Sequence, residues 1–569
     1  MKWSVAILAA ICLVHVALLT CEAISDSPVQ HEPANIYSGL LAWSRGRYDV
    51  YRVNPPLVRT IAALPLYVLG YADQSNIDPQ TAMRRPELYL GATWMESLRN
   101  DARKACVIAR IACFPFSLLG AAICYVWSKE LFGLAAGLLA LLAWCLSPTI
   151  VGHGHLAMPD VAAGALAVAS AFTFSRWRRQ PNWRRATLTG ITIGLAQVAK
   201  FTSIVLLVLV PYALVVVLRA NRRGSLVHPF LMVGAMLGVI NASYAWDESF
   251  SQLGSFEFVS EALSGAAQSD LDSPMPGNRF RGNSLGLLPV PLPRQYLLGI
   301  DEQRWDFEVG MPCYMAGKTY PRGWIGYYAY AALVKEPLGL WLLAVVSMCA
   351  YVAGPSLDES KRTDLRLIGL LLVLYFLLVS LNVGVNRHYR YAIPAMPFAF
   401  ILISRGAMLL RRSHYLYSGL IGVGVLWMGA ASLAAVPHSL AYFNEAAGGS
   451  THGHEHLLGS NLDWGQDLLR LQKWLQRHPA VRPVEIDCDA SYDPAMILGE
   501  DPLILISRLT RLHHPPEQST RLKAPPQWLI MSVNRLTLPM YAHLDPVKAV
   551  ARIGTTLLLF DRKAAAPIQ

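Results

Sequence analysis

Apolar runs of membrane-spanning length recur along this 569-residue chain and restrict its fold more than any other feature. A helix needs about 20 mostly apolar residues to cross the hydrocarbon core of a bilayer. Inside that core every backbone polar group must be satisfied within the protein. Hydropathy places about eleven spans, over 3–21, 106–127, 133–148, 160–175, 186–199, 202–218, 228–245, 326–352, 366–382, 391–404 and 415–436. Charged residues are only 15% of the chain, and mean hydropathy is +0.34. Soluble domains carry about 25% charged residues. The expected fold class is a polytopic α-helical membrane protein. The first span also has the form of a signal peptide, with Lys2 ahead of an apolar core. Nine cysteines form no CxxC pair and no Cys/His metal spacing, so neither a disulfide framework nor a metal site is read from them.

Lysine and arginine give the orientation. Ser175–Arg185, Arg219–Arg223, Ser360–Arg366 and Arg405–Arg412 are basic and fall on one side in this count. By the positive-inside rule that side is cytoplasmic. The net charge of +11 then belongs to cytoplasmic loops, and no basic tract with interleaved aromatics suggests nucleic acid. The long segments 22–105 and 246–325 and the tail from 437 share the other face. The expected domains are 1–436, transmembrane with those two external loops, and 437–569, a small extracytoplasmic α/β domain. The tail carries Trp464, Leu468, Leu471 and Leu475 at helical spacing, then strand-like "VRPVEID", "QWLIMSV" and "TTLLLF". The expected location is the cytoplasmic (inner) membrane, multi-pass, with the working face outside.

Five cations break the positive-inside pattern: Arg110, Lys200, Lys335, Arg387 and Arg390. A charge at the bilayer centre costs about 2.5–3.5 kcal/mol on insertion scales. Each alone is compatible with interfacial anchoring. Five on one face suit an anionic headgroup such as a phosphate, with Arg as a bidentate partner and Lys as a point charge. Two carboxylates lie on the same face. Glu32 precedes Pro33, which suits a helix start, and Asp160 follows "VGHGHLAMP" where it suits a helix cap. A carboxylate beside such a cation cluster is also suited to deprotonating an acceptor. Asp463 and Gln466 have capping-box spacing, with Trp464 in ordinary helix packing as the plain reading and acceptor contact as the other. "HGHEH" (His452 to His456) reads as a solvated loop rather than a metal site.

In order and spacing these motifs resemble the membrane glycosyltransferases of family 39, which include the protein O-mannosyltransferases. "HEPANIYSGL…YRVNPPLVRTIAALP" is similar to the family's first-loop motif. "ARIACFPFSLLGAAICYVWSKELFG" resembles its second span with Arg110. "SPTIVGHGHLAMPDVAAGAL" resembles its His-Gly…Asp stretch, with His153 and Asp160. "GLAQVAKFTSIVLL" carries Lys200, "GYYAYAALVKEPLGLW" carries Lys335, and "NRHYRYAIPAMP" carries Arg390 and Tyr391. "YFNEAAGG…GSNLDWGQDL", with Asn444, Asp463 and Trp464, resembles the external tail of bacterial members.

The resemblance implies a GT-C-like fold and an enzyme that moves a sugar from a polyprenyl-phosphate donor to a protein, lipid or glycan acceptor on the extracytoplasmic side. It implies no cofactor beyond that donor and leaves a divalent metal open. Arg110, Lys200, Lys335, Arg387 and Arg390 would hold the donor phosphate. His153, Tyr391, Asn444, Asp463 and Trp464 would contact substrate. One departure concerns the base. The family's first loop carries an acidic pair, and here its first position is His31 and its second Glu32. Glu32 is read first as the base, His31 next, and Asp160 is a third catalytic candidate. The rival functions are a lipid-linked glycan ligase or polymerase, a lipid or solute transporter, and a non-catalytic scaffold.

Overall fold

The computed structural model describes residues 2–71, 86–219, 226–265, 276–382, 384, 386–411, 415–507 and 525–565. Parts of the predicted loops (72–85 and 266–275) and of two basic stretches (220–223 and 412) lie outside the described residues.

The chain opens with α1 (Lys2–Ser25), then the shorter α2 (Glu32–Arg45), α3 (Pro56–Val68) and α4 (Pro86–Ser97). Proline in the first turn starts both α2 and α3, where its missing N–H costs nothing. Gly46, at φ 63°, ends α2 by turning the amides of Gly46 and Arg47 onto the carbonyls of Ala42 and Leu41. Gly39 lets α2 and α3 touch. A Cβ there would stand 2.0 Å from the carbonyl oxygen of Arg59.

The bundle follows: α5 (Ala102–Phe132), α6 (Leu134–Cys145), α7 (Pro148–Gly154), α8 (Pro159–Arg179), α9 (Trp183–Ala199), α10 (Leu209–Arg219) and α11 (Val227–Ser243). Small residues let these helices approach closely, the usual device where apolar packing meets lipid. Ala105, Ala109, Ala121, Ala140, Ala163 and Ala167 are fully buried. A Cβ on Gly120 would meet the Trp144 ring at 2.2 Å. Later helices, including Glu359–Leu381, Met396–Ser404 and Tyr415–Ala435, complete the bundle. α1 packs into it through Leu18, Leu19 and Ala23, and buried His15 bonds the Cys145 carbonyl and the Ser117 hydroxyl.

Among the described residues, six helices are long and apolar enough to cross a membrane, or eight if two bent pairs each count once. The count of about eleven is therefore not reached. α11, at 17 residues, is too short to qualify, and α9 is equally short. α8 is buried around most of its circumference, so its alanines record protein packing rather than lipid contact. The bent pairs are α6 with α7, at 55°, and Tyr327–Lys335 with Leu338–Val352, at 109°.

α8 has opposite chemistry at its two ends. Asp160 starts it, while Arg178 and Arg179 near its end pair with buried Asp364 of the helix Glu359–Leu381. The predicted cytoplasmic stretches 175–185 and 360–366 thus meet at one end of the bundle. Twenty-one residues at about 1.5 Å per residue separate the two ends by roughly 30 Å.

A small hairpin, β1 (Cys313–Met315) and β2 (Lys318–Tyr320), precedes the last helices. Beyond them lies a five-stranded sheet of β3 (Val484–Asp487), β4 (Ile504–Ile506), β5 (Trp528–Ser532), β6 (Ala551–Ile553) and β7 (Leu557–Asp561). The order is β4-β3-β5-β7-β6. β3 runs parallel to β4 and β5, and β7 runs antiparallel to β5 and β6. The three predicted strand segments become β3, β5 and β7. The helix Leu468–Arg477 buries Leu468, Leu471 and Leu475 against Val484, Ile486, Ile530 and Leu559. It starts four residues after Trp464, so the predicted stripe loses its first member.

Candidate functional site

A cavity of about 590 Å³ opens where the start of α8, the end of α9, the segment before α2 and the carboxyl ends of β3 and β5 converge. The parallel pair β3/β5 supplies its wall by a general rule: loops at the carboxyl ends of parallel strands project into the crevice beyond the sheet. Here they carry Asp489 after β3, and Asn534 and Arg535 after β5.

Eight predicted site residues line this chamber: His31, Asp160, Lys200, Arg387, Arg390, Tyr391, Asp463 and Trp464. Lys200 leaves the end of α9 in extended backbone and pairs with Asp160. The same carboxylate lies 3.5 Å from Arg390 Nη1, so one anion faces two cations. Arg387 also reaches the chamber, with Nη1 3.4 Å from Met311 Sδ. The positive side therefore keeps an excess.

Trp464 organises the aromatic side. The Arg390 guanidinium lies 4.1 Å from its ring centroid, and the His31 ring lies 5.7 Å away. A cation over an indole face gains about 0.5–2 kcal/mol, more as water is excluded. Tyr391 carries Lys200 at 4.7 Å and Arg390 at 5.2 Å over its own ring. His31 Nδ1 is 3.1 Å from the Tyr51 hydroxyl.

The structure corrects the capping reading of Asp463. Asp467, not Asp463, precedes the helix Leu468–Arg477. Asp463 instead accepts from the Gly465 amide at 2.9 Å and from the Ser532 hydroxyl. Gly465, at φ 93°, permits the turn, since a Cβ there would lie 2.3 Å from the Asp489 carbonyl oxygen. Burial, and then the charge of nearby Asp489, pushes the Asp463 carboxyl up to about 8. Asp489 accepts from Asn534 and pairs with Arg535 at 3.2 Å.

The remaining predictions need a different role. Glu32 is fully buried and does not line the chamber. Its Oε1 accepts from Arg110 Nε at 2.9 Å and the Ala157 amide at 3.0 Å. Its Oε2 accepts from Arg110 Nη2 at 2.6 Å and the Val29 amide at 2.9 Å. Burial acts to raise its pKa, but Arg110 and the two amides overcome this and hold the carboxyl below the usual carboxylate range. A base must reach the proton that it removes, and both Glu32 oxygens are engaged away from the chamber. Arg110 is likewise committed, because its other hydrogens bond the carbonyls of Ala23, Asp26 and Ser27. Lys335 donates to the carbonyls of Leu440 and Asn461, at 3.0 and 2.6 Å. Asn444 bonds the carbonyls of Leu333 and Glu336. His153 stands behind Trp464, with ring centroids 6.4 Å apart. These residues build the chamber's surroundings rather than its lining.

His388, Asp489, Asn534 and Arg535 line the chamber without having been singled out in the sequence. His388 bonds Ser460 Oγ at 2.7 Å. Burial, with Arg387 and Arg390 adding repulsion, holds its pKa well below the usual histidine value, so the ring is neutral. His388 sits inside the quoted motif "NRHYRYAIP", where its two arginine neighbours were the available signal.

The long apolar helices and the charged, aromatic chamber at one end of the bundle define a multi-pass membrane protein with a polar site beside its spans. Residues 96–246 match the model of the family described as dolichyl-phosphate-mannose-protein mannosyltransferase, which bears out the resemblance carried by the motifs. No curated protein matches the chain in sequence. Among solved structures it is loosely similar to ArnT from Cupriavidus metallidurans in the apo state and bound to undecaprenyl phosphate. Each aligns at 13% identity and a TM-score of 0.46, over 100% of this chain and 99% of that one. The Pmt1-Pmt2 protein O-mannosyltransferase complex of S. cerevisiae, bound to the sugar donor, aligns at 11% identity and a TM-score of 0.42, over 77% of this chain and 90% of that one.

Proposed function

We propose that the chamber is the active site of an integral-membrane glycosyltransferase that moves a sugar from a polyprenyl-phosphate donor to an acceptor. The observation that carries this reading is the convergence of Lys200, Arg387 and Arg390 on one cavity beside membrane-length helices. The chamber lies at the end of α8 remote from Arg178 and Arg179, an arrangement that supports an extracytoplasmic site under the positive-inside rule. The donor phosphate, lying at the membrane surface, binds among the three cations. The acceptor hydroxyl attacks the anomeric carbon as the bond from that carbon to the phosphate oxygen breaks. The bonding electrons leave with the lipid phosphate, whose growing charge the cations stabilise. The acceptor proton passes to His31, a residue type able to act as base near neutral pH. A single displacement of this kind inverts the anomeric centre, and the step calls for no cofactor.

The test is transfer of label from radiolabelled polyprenyl-phosphate sugars in membranes holding wild type, H31N or R390A. Wild type should transfer label, and H31N should bind donor without transfer. Losing a charged hydrogen-bond partner costs about 1.5–3 kcal/mol, so R390A should weaken donor binding roughly 10- to 100-fold. Normal turnover by H31N removes it as the base. Unchanged donor affinity in R390A removes the phosphate site.

A further inference from the structure

Outside the chamber, the end of α1 and the end of α7 bring together Glu22, Asp26 and His155. None of the three lines the chamber. One potential ligand atom from each lies within 4.8 Å of those from the other two. Their exposures are 0%, 2% and 0%, so bulk solvent does not reach them.

Each of the three has one polar atom held from outside and another left over. Glu22 Oε1 accepts from the Ser439 amide at 2.9 Å, and Oε2 has no hydrogen-bond partner among the described residues. Arg470 Nη1 stands 2.8 Å from Asp26 Oδ1, and Asp26 Oδ2 meets only His155 Nε2 among the polar atoms of the described residues. His155 Nδ1 donates to the Val151 carbonyl at 3.1 Å, which in the neutral ring leaves a lone pair on Nε2. Nε2 stands 3.3 Å from Asp26 Oδ2, an approach that a proton or a metal cation between the two makes favourable. The distance is also close to the edge of a tetrahedron around a zinc ion, about 3.3 Å for bonds of about 2.0 Å. Outer contacts of this kind, with carbonyl, amide and guanidinium each fixing one ligand, are the usual second layer of a metal site.

The surroundings are rich in buried carboxylates. Glu22, Asp26, Glu32 and Asp467 face the guanidiniums of Arg110 and Arg470 and the imidazoles of His155 and His438. Buried unpaired charge is strongly unfavourable, so a cation held among them is favoured.

We propose that Glu22, Asp26 and His155 bind a divalent transition-metal ion of zinc's class, which ties α1 to α7. One imidazole and two carboxylates are a zinc-type ligand set. The ion is structural. It holds the turn whose carbonyls, Ala23, Asp26 and Ser27, bind Arg110, and so fixes the path from α1 to His31.

The test uses untagged full-length protein in detergent, dialysed free of loose metal. Metal content is measured by mass spectrometry, and Tm is followed as zinc is returned to chelator-stripped protein. Wild type should retain about one ion per chain, and added zinc should raise the Tm of the stripped protein. E22Q and H155N should lose both effects. H452A/H454A should keep both, since His452 and its neighbours lie in an exposed loop. Zinc content as low in wild type as in E22Q, or no Tm change on zinc addition to stripped wild type, overturns the proposal. So does loss of the ion in H452A/H454A. If H155N does not fold, E22Q and the wild-type titration still decide.

Discussion

Removing the charge of Glu32 would leave Arg110 buried among carbonyls without its counter-ion. Breaking a buried ion pair from one side costs about 3–5 kcal/mol. E32Q should therefore lower the midpoint of unfolding in detergent, and any loss of transfer should track loss of folded protein. His31, one position earlier, should behave in the opposite way, with H31N folding normally and failing in turnover. Asp463 gives a pH signature. Its folded pKa, about 8, lies above the ordinary aspartate value, so the folded state holds a proton that the unfolded state releases. That stability is complete below the unfolded pKa and is lost as pH rises towards 8. Wild-type Tm should fall between pH 5 and pH 8 by more than that of D463N, and equal slopes would deny the shift. At this scale the sequence was legible where physical cost leaves a mark. Lys200, Arg387 and Arg390 stand out because cations on that face need a reason. Arg110 and Lys335 stand out equally, but nothing local separates a cation that faces a cavity from one that binds carbonyls.

At the scale of elements, close approach matters more than helix propensity. Alanine at Gly39 would drive α2 off α3 at the Arg59 carbonyl. Overpacking of this kind costs about 1–3 kcal/mol. G39A should unfold at lower temperature, and an unchanged Tm would show that the two helices adjust freely. The number of spans was less legible than the elements themselves. Hydropathy cannot tell an alanine-rich helix sheathed by protein, such as α8, from one sheathed by lipid. The sheet was legible in β3, β5 and β7, where β-branched and apolar residues run together. The three-residue strands β4 and β6 carry too little pattern to stand out.

Across the whole molecule, the chamber joins parts of the chain that no local motif links. Asp489, Asn534 and Arg535 enter it only because β3 and β5 are parallel neighbours, a pairing set by the tertiary fold. On the proposed reading the cations serve the donor, and this wall faces the acceptor. N534A removes the side chain that braces Asp463 and Asp489 in this wall; it should then raise the acceptor KM roughly 10-fold, about 1.4 kcal/mol, while donor binding stays as in wild type. Weaker donor binding with an unchanged acceptor KM would reverse that division.

The backbone between α1 and α2 is stitched to the segment before the helix Leu468–Arg477. Ser27 N bonds the Gln466 carbonyl, Gln30 N bonds the Trp464 carbonyl, and Leu468 N bonds the Ser27 hydroxyl. The last of these pairs lies 441 positions apart in the chain. A ribosome feeding the protein into the membrane delivers one half of this seam more than 400 residues before the other. The nascent chain therefore holds an incomplete site while that intervening stretch is inserted, and assembly of the pocket is timed by the arrival of the segment that carries Trp464 and Gln466.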